Sequence, residues 1–522
     1  MKKLLLFLII VFLAFAGDAQ NYFEKAILHD DNITRDAALV IETQEHGFIV
    51  SCRTKFIYQN DMLLSLSPEG EVTNSLTFQI DGKNIKYCEL FKDAERDDEY
   101  IAMAVLSSGN STQSCVRNEI AVLHLDANLE IKSHQTCGLG ENVINILSKN
   151  REMPRFVQED DGNFFMAAHC QMTDGYCYLF LRITPNGDIV KMEEDYSHGS
   201  ESDQLKALFE RSKADKNYGM IRLQNDGEYY YKIDSAFNAT RIARLLGTTI
   251  KIVQNDPQQQ YPDTTFKYAF RGGYMTTYDD ETFLLTSPGY YMKHYGGILG
   301  WNHYVAKIND SMQALVAETW DCVEETNPLN RVVANVHALS VANNAIYHCG
   351  MNGLKDQTQG YVGPEPSEIV VSKFDMDLNL IWRRWYGVND DFYNINTILA
   401  TEDGGCILAG YHAKAPGYYA YYSYILKVDE NGYDAIEENE ESLAKPYFCY
   451  PNPAKDNIYI ELSPDVNCQS VEIYTLDGRL VETLPETSQQ TTINVENLNA
   501  GVYILKIKMA DGREFSEKII KE

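Results

Sequence analysis

Thr401-Glu402-Asp403-Gly404-Gly405-Cys406-Ile407-Leu408-Ala409-Gly410, followed by Tyr424-Ile425-Leu426-Lys427-Val428-Asp429-Glu430-Asn431-Gly432, is the stretch that decides the fold. A polar, glycine-bearing turn opens onto an apolar strand. A variable insert follows, and a second alternating strand ends in an Asn-Gly turn. The phrase recurs as "EDDGNFFMAAHC" with "YLFLRITPNGDIV" from Glu159 to Val190, and as "TQEHGFIVSC" with "MLLSLSPEGEV" from Thr43 to Val72. Weaker copies begin near Asp97, Asp279 and Asn343, and a compressed one near Lys216.

The copies start roughly 60 residues apart, a period that holds about four strands per unit and points to a β-propeller. Blades stacked radially bury both faces of each small sheet and leave short, protected edges. A pair of β-sandwiches would have no reason to repeat at one interval. The expected fold is all-β, with about seven blades filling residues 20–433 and the first apolar strand of each phrase taken as the inner one. The "DGG" and "NG" turns supply the positive-φ positions that tight hairpins need. Phrases such as "EDGGCILAGY" also look like the propeller repeats of exported proteins.

Composition agrees. Of 522 residues 44% are hydrophobic and 23% charged, which excludes wholesale disorder. Thirty-five Tyr against 4 Trp tilt toward strands. Seventy-five acidic residues against 45 basic ones give a net charge of −30, which excludes a general polyanion binder and so nucleic acid.

The ends of the chain carry addresses. Met1-Lys2-Lys3, the apolar run Leu4 to Ala16 and the small residues Gly17-Asp18-Ala19 read as a signal peptide, residues 1–19. Cleavage is expected between Ala19 and Gln20, with Ala16 as second choice. The run is shorter than the roughly 20 residues of a spanning helix, so no transmembrane segment is expected. From Pro446 onward, alternating strands at Ile458–Leu462, Val471–Tyr474, Thr492–Val495, Gly501–Ile507 and Phe515–Ile520 make a small, Ig-like β-sandwich. An acidic run within 434–445 reads as a solvated linker.

The terminal 446–522 closely resembles the type A C-terminal sorting domain of the bacterial type IX (Por) secretion system. The resemblance rests on Pro451-Asn452-Pro453, the "IYTLDGRLV" strand-turn-strand with Asp477-Gly478, "LNAGVYILKI" with Gly501 and Tyr503, and the basic tail Lys518 and Lys521. It implies handling by the type IX machinery, export across both membranes, and a final place at the cell surface or in the medium.

Chemical motifs are scarce. Eleven Cys in an exported chain suggest disulfides, with Cys170–Cys177 and Cys449–Cys468 as the candidate pairs and Cys115–Cys137 a weaker one. Cys52, Cys170 and Cys349 also fit a buried column of free thiols. No zinc spacing, phosphate loop, dinucleotide fingerprint or nucleophile elbow occurs, so no metal, cofactor or catalytic residue is assigned. His124, His169, His303 and His348 fit satisfied core positions, and the acidic pairs Asp160-Asp161 and Asp390-Asp391 fit turn formers.

Two aromatic inserts stand out: Tyr290, Tyr291, Tyr295, Trp301 and Tyr304 in one, and Tyr418, Tyr419 and Tyr421 in the other. Rings presented on rim loops stack on sugars or grip peptides. The expected function is therefore a monomeric, exported propeller that binds an extracellular protein, peptide or glycan. The alternative is a propeller hydrolase or lyase on polysaccharide or peptide, which requires carboxylates or a His around the central channel.

Overall fold

The computed structural model describes residues 22–521 with interruptions, the longer ones being 110–115, 148–152, 251–265, 268–273, 293–297, 320–330, 354–365, 415–420, 434–446 and 463–467. Two compact units divide at Ile436/Glu437. Strands make up both, and no helix among the described residues is long and apolar enough to cross a membrane.

The first unit is a seven-bladed β-propeller. Its innermost strands are Arg35–Glu42, Lys83–Lys92, Arg155–Gln158, Gln204–Ser212, Tyr274–Thr277, Leu339–Ala342 and Phe392–Ala400. Each packs against the next, and the last returns to the first, so the ring closes. The apolar strand of every repeat phrase proves to be the second strand of its blade, because a separate inner strand precedes it. In the last blade Cys406–Ala413 pairs inward with Phe392–Ala400 and outward with Tyr421–Val428.

That last blade draws its fourth strand from the other end of the chain. Phe23–Ile27 lies antiparallel along Tyr421–Val428, Phe23 opposite Lys427 and Ile27 opposite Ser423. Phe23 is buried in a cluster shared with Ala37, Phe48, Val50 and Leu64 of the first blade and Ile407 and Ile425 of the last. Its ring meets Phe48 edge-on with centroids 6.0 Å apart. Gly70, at φ +80°, lets the chain pass so close that a Cβ there would sit 2.4 Å from the Phe23 ring.

Repetition in sequence becomes repetition in hydrogen bonding. In the turn after the inner strand, Thr43 N, Glu159 N and Thr401 N donate to the carbonyls of Gly47, Asn163 and Gly405 at 2.8, 2.7 and 3.0 Å. The residue before each acceptor has positive φ: His46, Gly162 and Gly404. In the turn after the third strand Gly187 and Gly432 hold that conformation, whereas Leu129, Phe237 and Leu378 adopt it at φ 64°, 72° and 64° with their side chains buried. There the apolar surface removed from water outweighs the left-handed strain of about 1–2 kcal/mol.

The second unit is a sandwich of two sheets. One orders Tyr447–Tyr450, Asn457–Leu462 and Gln490–Asn494, and the other Leu480–Thr487, Cys468–Thr475, Gly501–Met509 and Glu514–Lys521. Ile458, Ile460, Val471, Ile473, Ile493, Leu505 and Ile507 fill the space between them.

Replacing Phe23 with Ala removes the ring that seals first blade to last. It is expected to cost about 3–5 kcal/mol, read as a lower urea midpoint for the propeller. An unchanged midpoint would show that closure does not limit stability.

Candidate functional site

Closure of the ring points one row of side chains at its axis. Glu89, Arg155, Tyr274 and Thr397 each stand four residues before the residue that opens their turn: Asp93, Glu159, Tyr278 and Thr401. They come from the second, third, fifth and seventh blades. His337 of the sixth blade joins the same level by bridging to Thr397, its N–H donating to Asn396 O at 3.1 Å and its carbonyl accepting from Ile398 N at 3.0 Å.

The side chains meet across the channel. His337 Nε2 lies 3.5 Å from Glu89 Oε2, a contact between blades that are not neighbours in the ring. His337 Nδ1 lies 3.3 Å from Thr397 Oγ1, and Tyr274 stands edge-on to the imidazole at 5.5 Å. Enclosure by the blades, and then the Glu89 carboxylate, push the Tyr274 phenol up to about 12, while Arg155 and a hydrogen bond to Thr276 pull the other way. Arg155 Nε is buried with no hydrogen-bond partner. Arg53 donates Nε and Nη2 to the carbonyls of Tyr87 and Cys88, both at 3.0 Å. Burial lowers its pKa and the charge of Arg155 lowers it further, while Asp61 and Glu89 raise it. The layer thus gathers one carboxylate, one imidazole, one phenol and two guanidiniums, a set able to bind an acidic ligand and to move a proton.

Charges elsewhere on the propeller are used structurally. Opposite the second or third residue of the second strand, six of seven blades carry a basic side chain: His124, Arg182, Lys232, Lys307, Lys373 and Lys427, with Ser65 in the first. Several reach the acids of the turns, with Arg182 to Glu159 at 2.7 Å and Lys427 to Asp403 at 2.8 Å. Lys373 reaches the next blade, at the carbonyls of Gly404 and Glu430. A cleft of about 220 Å³ at the closure seam is lined by Glu42, His46, Phe48, Pro68, Glu402, Asp403 and Lys427. Its acids are already engaged: Glu42 Oε2 accepts Glu402 N at 2.8 Å, and Lys92 holds Glu402 at 2.9 Å.

The aromatic inserts are placed only in part. Tyr290 stands opposite Trp301 and Tyr291 opposite Gly300 in the hairpin Thr282–Met292/Ile298–Asn309, with Tyr304 opposite Ser287. Tyr421 stands opposite Ala413. Tyr295, Tyr418 and Tyr419 lie outside the described residues, as do Ala19, Gln20, Pro451, Asn452, Pro453, Asp477 and Gly478. Gly501 pairs with Lys521 and Lys518 with Ile504, while Tyr503 donates its hydroxyl to Asn499 O at 2.9 Å.

Cys170 and Cys177 are directly opposed across a hairpin, a placement within disulfide reach. Neither is in a disulfide in the structure, and nor are Cys449 and Cys468. Cys137 is in none either, and Cys115 lies outside the described residues. Cys52, Cys170 and Cys349 are buried. His348 binds Thr286 Oγ1 at 2.9 Å, and His169 stacks on Tyr178 at 5.0 Å. Asp391 does more than form a turn, since it holds His412 Nε2 at 2.8 Å.

Glu89, Arg155, Tyr274, His337 and Thr397 escaped sequence reading because five blades contribute them and no local motif joins them. Counting back four residues from the turns would have found four of the five.

Residues 449–522 match the secretion system C-terminal sorting domain. The protein is therefore cargo of the type IX route, exported to the cell surface or extracellular space. No curated protein matches the chain. Among solved structures, the polysaccharide lyase Uly1 is similar at 11% identity and TM-score 0.40, over 76% of this chain and 90% of that one. The WD40 domain of Toxoplasma gondii coronin is similar at 11% and 0.36, over 78% and 87%. A subtype N10 neuraminidase-like protein of a bat influenza virus is similar at 7% and 0.34, over 79% and 98%.

Removing 446–522 is expected to leave the protein in the periplasm, followed by fractionation and surface labelling. Surface delivery of the shortened chain would contradict the assignment.

The Tyr274 phenol has its own signature. Its ordinary value is 10.0 and it is held up to about 12. Between those pH values the folded state keeps a proton that the unfolded chain has lost, so stability falls as pH rises through the window. Tyr274→Phe is expected to make that fall shallower in urea unfolding at stepped pH, and an identical slope would refute the enclosure.

Proposed function

We propose that this exported propeller binds a carboxylate-bearing glycan or peptide outside the cell, and that the axial layer is where it binds. The supporting observation is the contact of Glu89 with His337 across the axis, beside a buried Arg155 Nε that has no acceptor. The two guanidiniums outnumber the single carboxylate, with an imidazole and a protonated phenol as further donors, so the layer attracts negative charge in a chain of net charge −30. A planar carboxylate suits Arg155. Sugar or peptide hydroxyls and amides suit Glu89 and Tyr274.

A second reading, processing of the ligand, draws on the same residues. In this reading His337, flanked by Glu89 and Thr397, acts as the base, and Tyr274, protonated at neutral pH, as the acid. With Arg155 on a uronate carboxylate, they form the set needed to take the proton beside that carboxylate and return one to a departing glycosidic oxygen. The aromatic inserts at Tyr291 and Trp301 would extend the grip at the rim.

Calorimetry with oligouronides on the full chain separates these readings. Arg155→Ala is expected to weaken binding by tenfold or more, and Tyr291→Ala with Trp301→Ala by less. If the rim pair abolishes binding and Arg155→Ala does not, the channel assignment fails. Processing predicts a new ultraviolet-absorbing unsaturated end that Glu89→Gln suppresses while binding persists. Hydrolysis would give reducing ends without that absorbance.

A further inference from the structure

The turn that closes the inner strand of the second blade holds an arrangement that the channel does not use. Asp93 and Glu99 stand at its two ends, with Asp93 N donating to Glu99 O at 3.0 Å. His124 rises from the third strand opposite Ile101. Its Nε2 lies 2.8 Å from the carbonyl of Pro185 in the third blade. A carbonyl only accepts, so Nε2 carries the proton and Nδ1 of a neutral ring is left with a lone pair. That Nδ1 is buried and makes no hydrogen bond. It faces Asp93 Oδ2 at 3.3 Å and Glu99 Oε2 at 3.8 Å.

Three acceptors converging on one point need positive charge beside them; here the Arg96 guanidinium on Glu99 supplies it, and a bound cation would take its place. In the third and seventh blades the matching side chain brings its own charge, as Arg182 or Lys427. In the second blade it is an imidazole. We propose that Asp93 Oδ2, Glu99 Oε2 and His124 Nδ1 bind a zinc-type divalent cation. The three atoms lie within 4.8 Å of one another. Zinc takes nitrogen and oxygen ligands at roughly 2.0–2.2 Å, which sets ligand–ligand edges of about 3.4 Å in a tetrahedron. The observed separations close to that with small side-chain movements. One imidazole with two carboxylates favours zinc over calcium, which prefers oxygen throughout.

The supports of a metal-bound histidine are also in place. The Pro185 carbonyl fixes the ring and its tautomer, as outer partners of ligating histidines do. Asp93 Oδ1 accepts Glu95 N at 2.9 Å, which orients the carboxylate. Arg96 Nη1 lies 2.5 Å from Glu99 Oε2 and 4.0 Å from Asp93 Oδ2, with its side chain 44% exposed. It is held there by Glu99, so cation binding would have to displace it. A bound ion would join turn, strand and next blade at one point. Sequence reading assigned no metal because residues 93, 99 and 124 match no ligand spacing.

Titration calorimetry on the full chain, stripped with chelator and dialysed, tests this with Zn²⁺ and, in parallel, Ca²⁺. One equivalent of Zn²⁺ is expected to bind at least tenfold more tightly than Ca²⁺. Asp93→Asn and Glu99→Gln should each weaken Zn²⁺ tenfold or more, and Arg96→Ala should tighten it several-fold. Thermal melts confirm that the variants are folded. Glu99 is partly exposed, so Glu99→Gln keeps the test valid if Asp93→Asn does not fold. No binding of Zn²⁺ by the unaltered chain overturns the proposal. Zn²⁺ binding unchanged in both carboxylate variants overturns it too, by placing the ion elsewhere.

Discussion

The hydrogen-bonded seam between Phe23–Ile27 and Tyr421–Val428 is the constraint on which the propeller depends. Without it the last blade would end in an open strand edge, and the cluster shared by the first and last blades would lose the Phe23 ring. With it the seven inner strands form a closed ring, and the position of each blade about the axis is fixed by its two neighbours. Only then do residues as remote as Glu89 and His337 come within 3.5 Å of each other. The functional layer is a consequence of closure.

Within that frame the chain separates two kinds of charge. At the turns, basic side chains of the third strands meet nearby acids or the carbonyls of the next blade. Arg182 with Glu159 and Lys427 with Asp403 show this pattern, in which each charge has a fixed partner. At the axis the groups are fewer and the pairing is looser. Arg155 keeps a buried donor without a partner, and the His337–Glu89 contact at 3.5 Å leaves room for a ligand atom to compete. Binding and proton transfer both need groups that are not fully spoken for, which is why the axis and not the turns carries the functional reading.

Much of this was legible in the sequence, and the failures have physical reasons. The second and third strands are largely buried and, in the clearest blades, framed by glycine turns, so phrases such as that beginning at Thr401 announce them. Three of the seven inner strands, Arg155–Gln158, Tyr274–Thr277 and Leu339–Ala342, hold four residues each, too few for alternation to register, so in those blades the second strand reads as the inner one. The outermost strand Val72–Leu76 is largely exposed and so carries little apolar signal. The sorting domain was readable throughout because its motifs are local. Glu89, Arg155, Tyr274, His337 and Thr397 were not, since only the ring brings them together.

The measurement that bears most directly on this account is a crystal structure of the protein grown with an oligouronide. The account predicts ligand density on the axis, with a carboxylate against Arg155 and an oxygen between Glu89 and His337. Ligand density confined to the rim around Tyr291 and Trp301, with an empty axis, would contradict it.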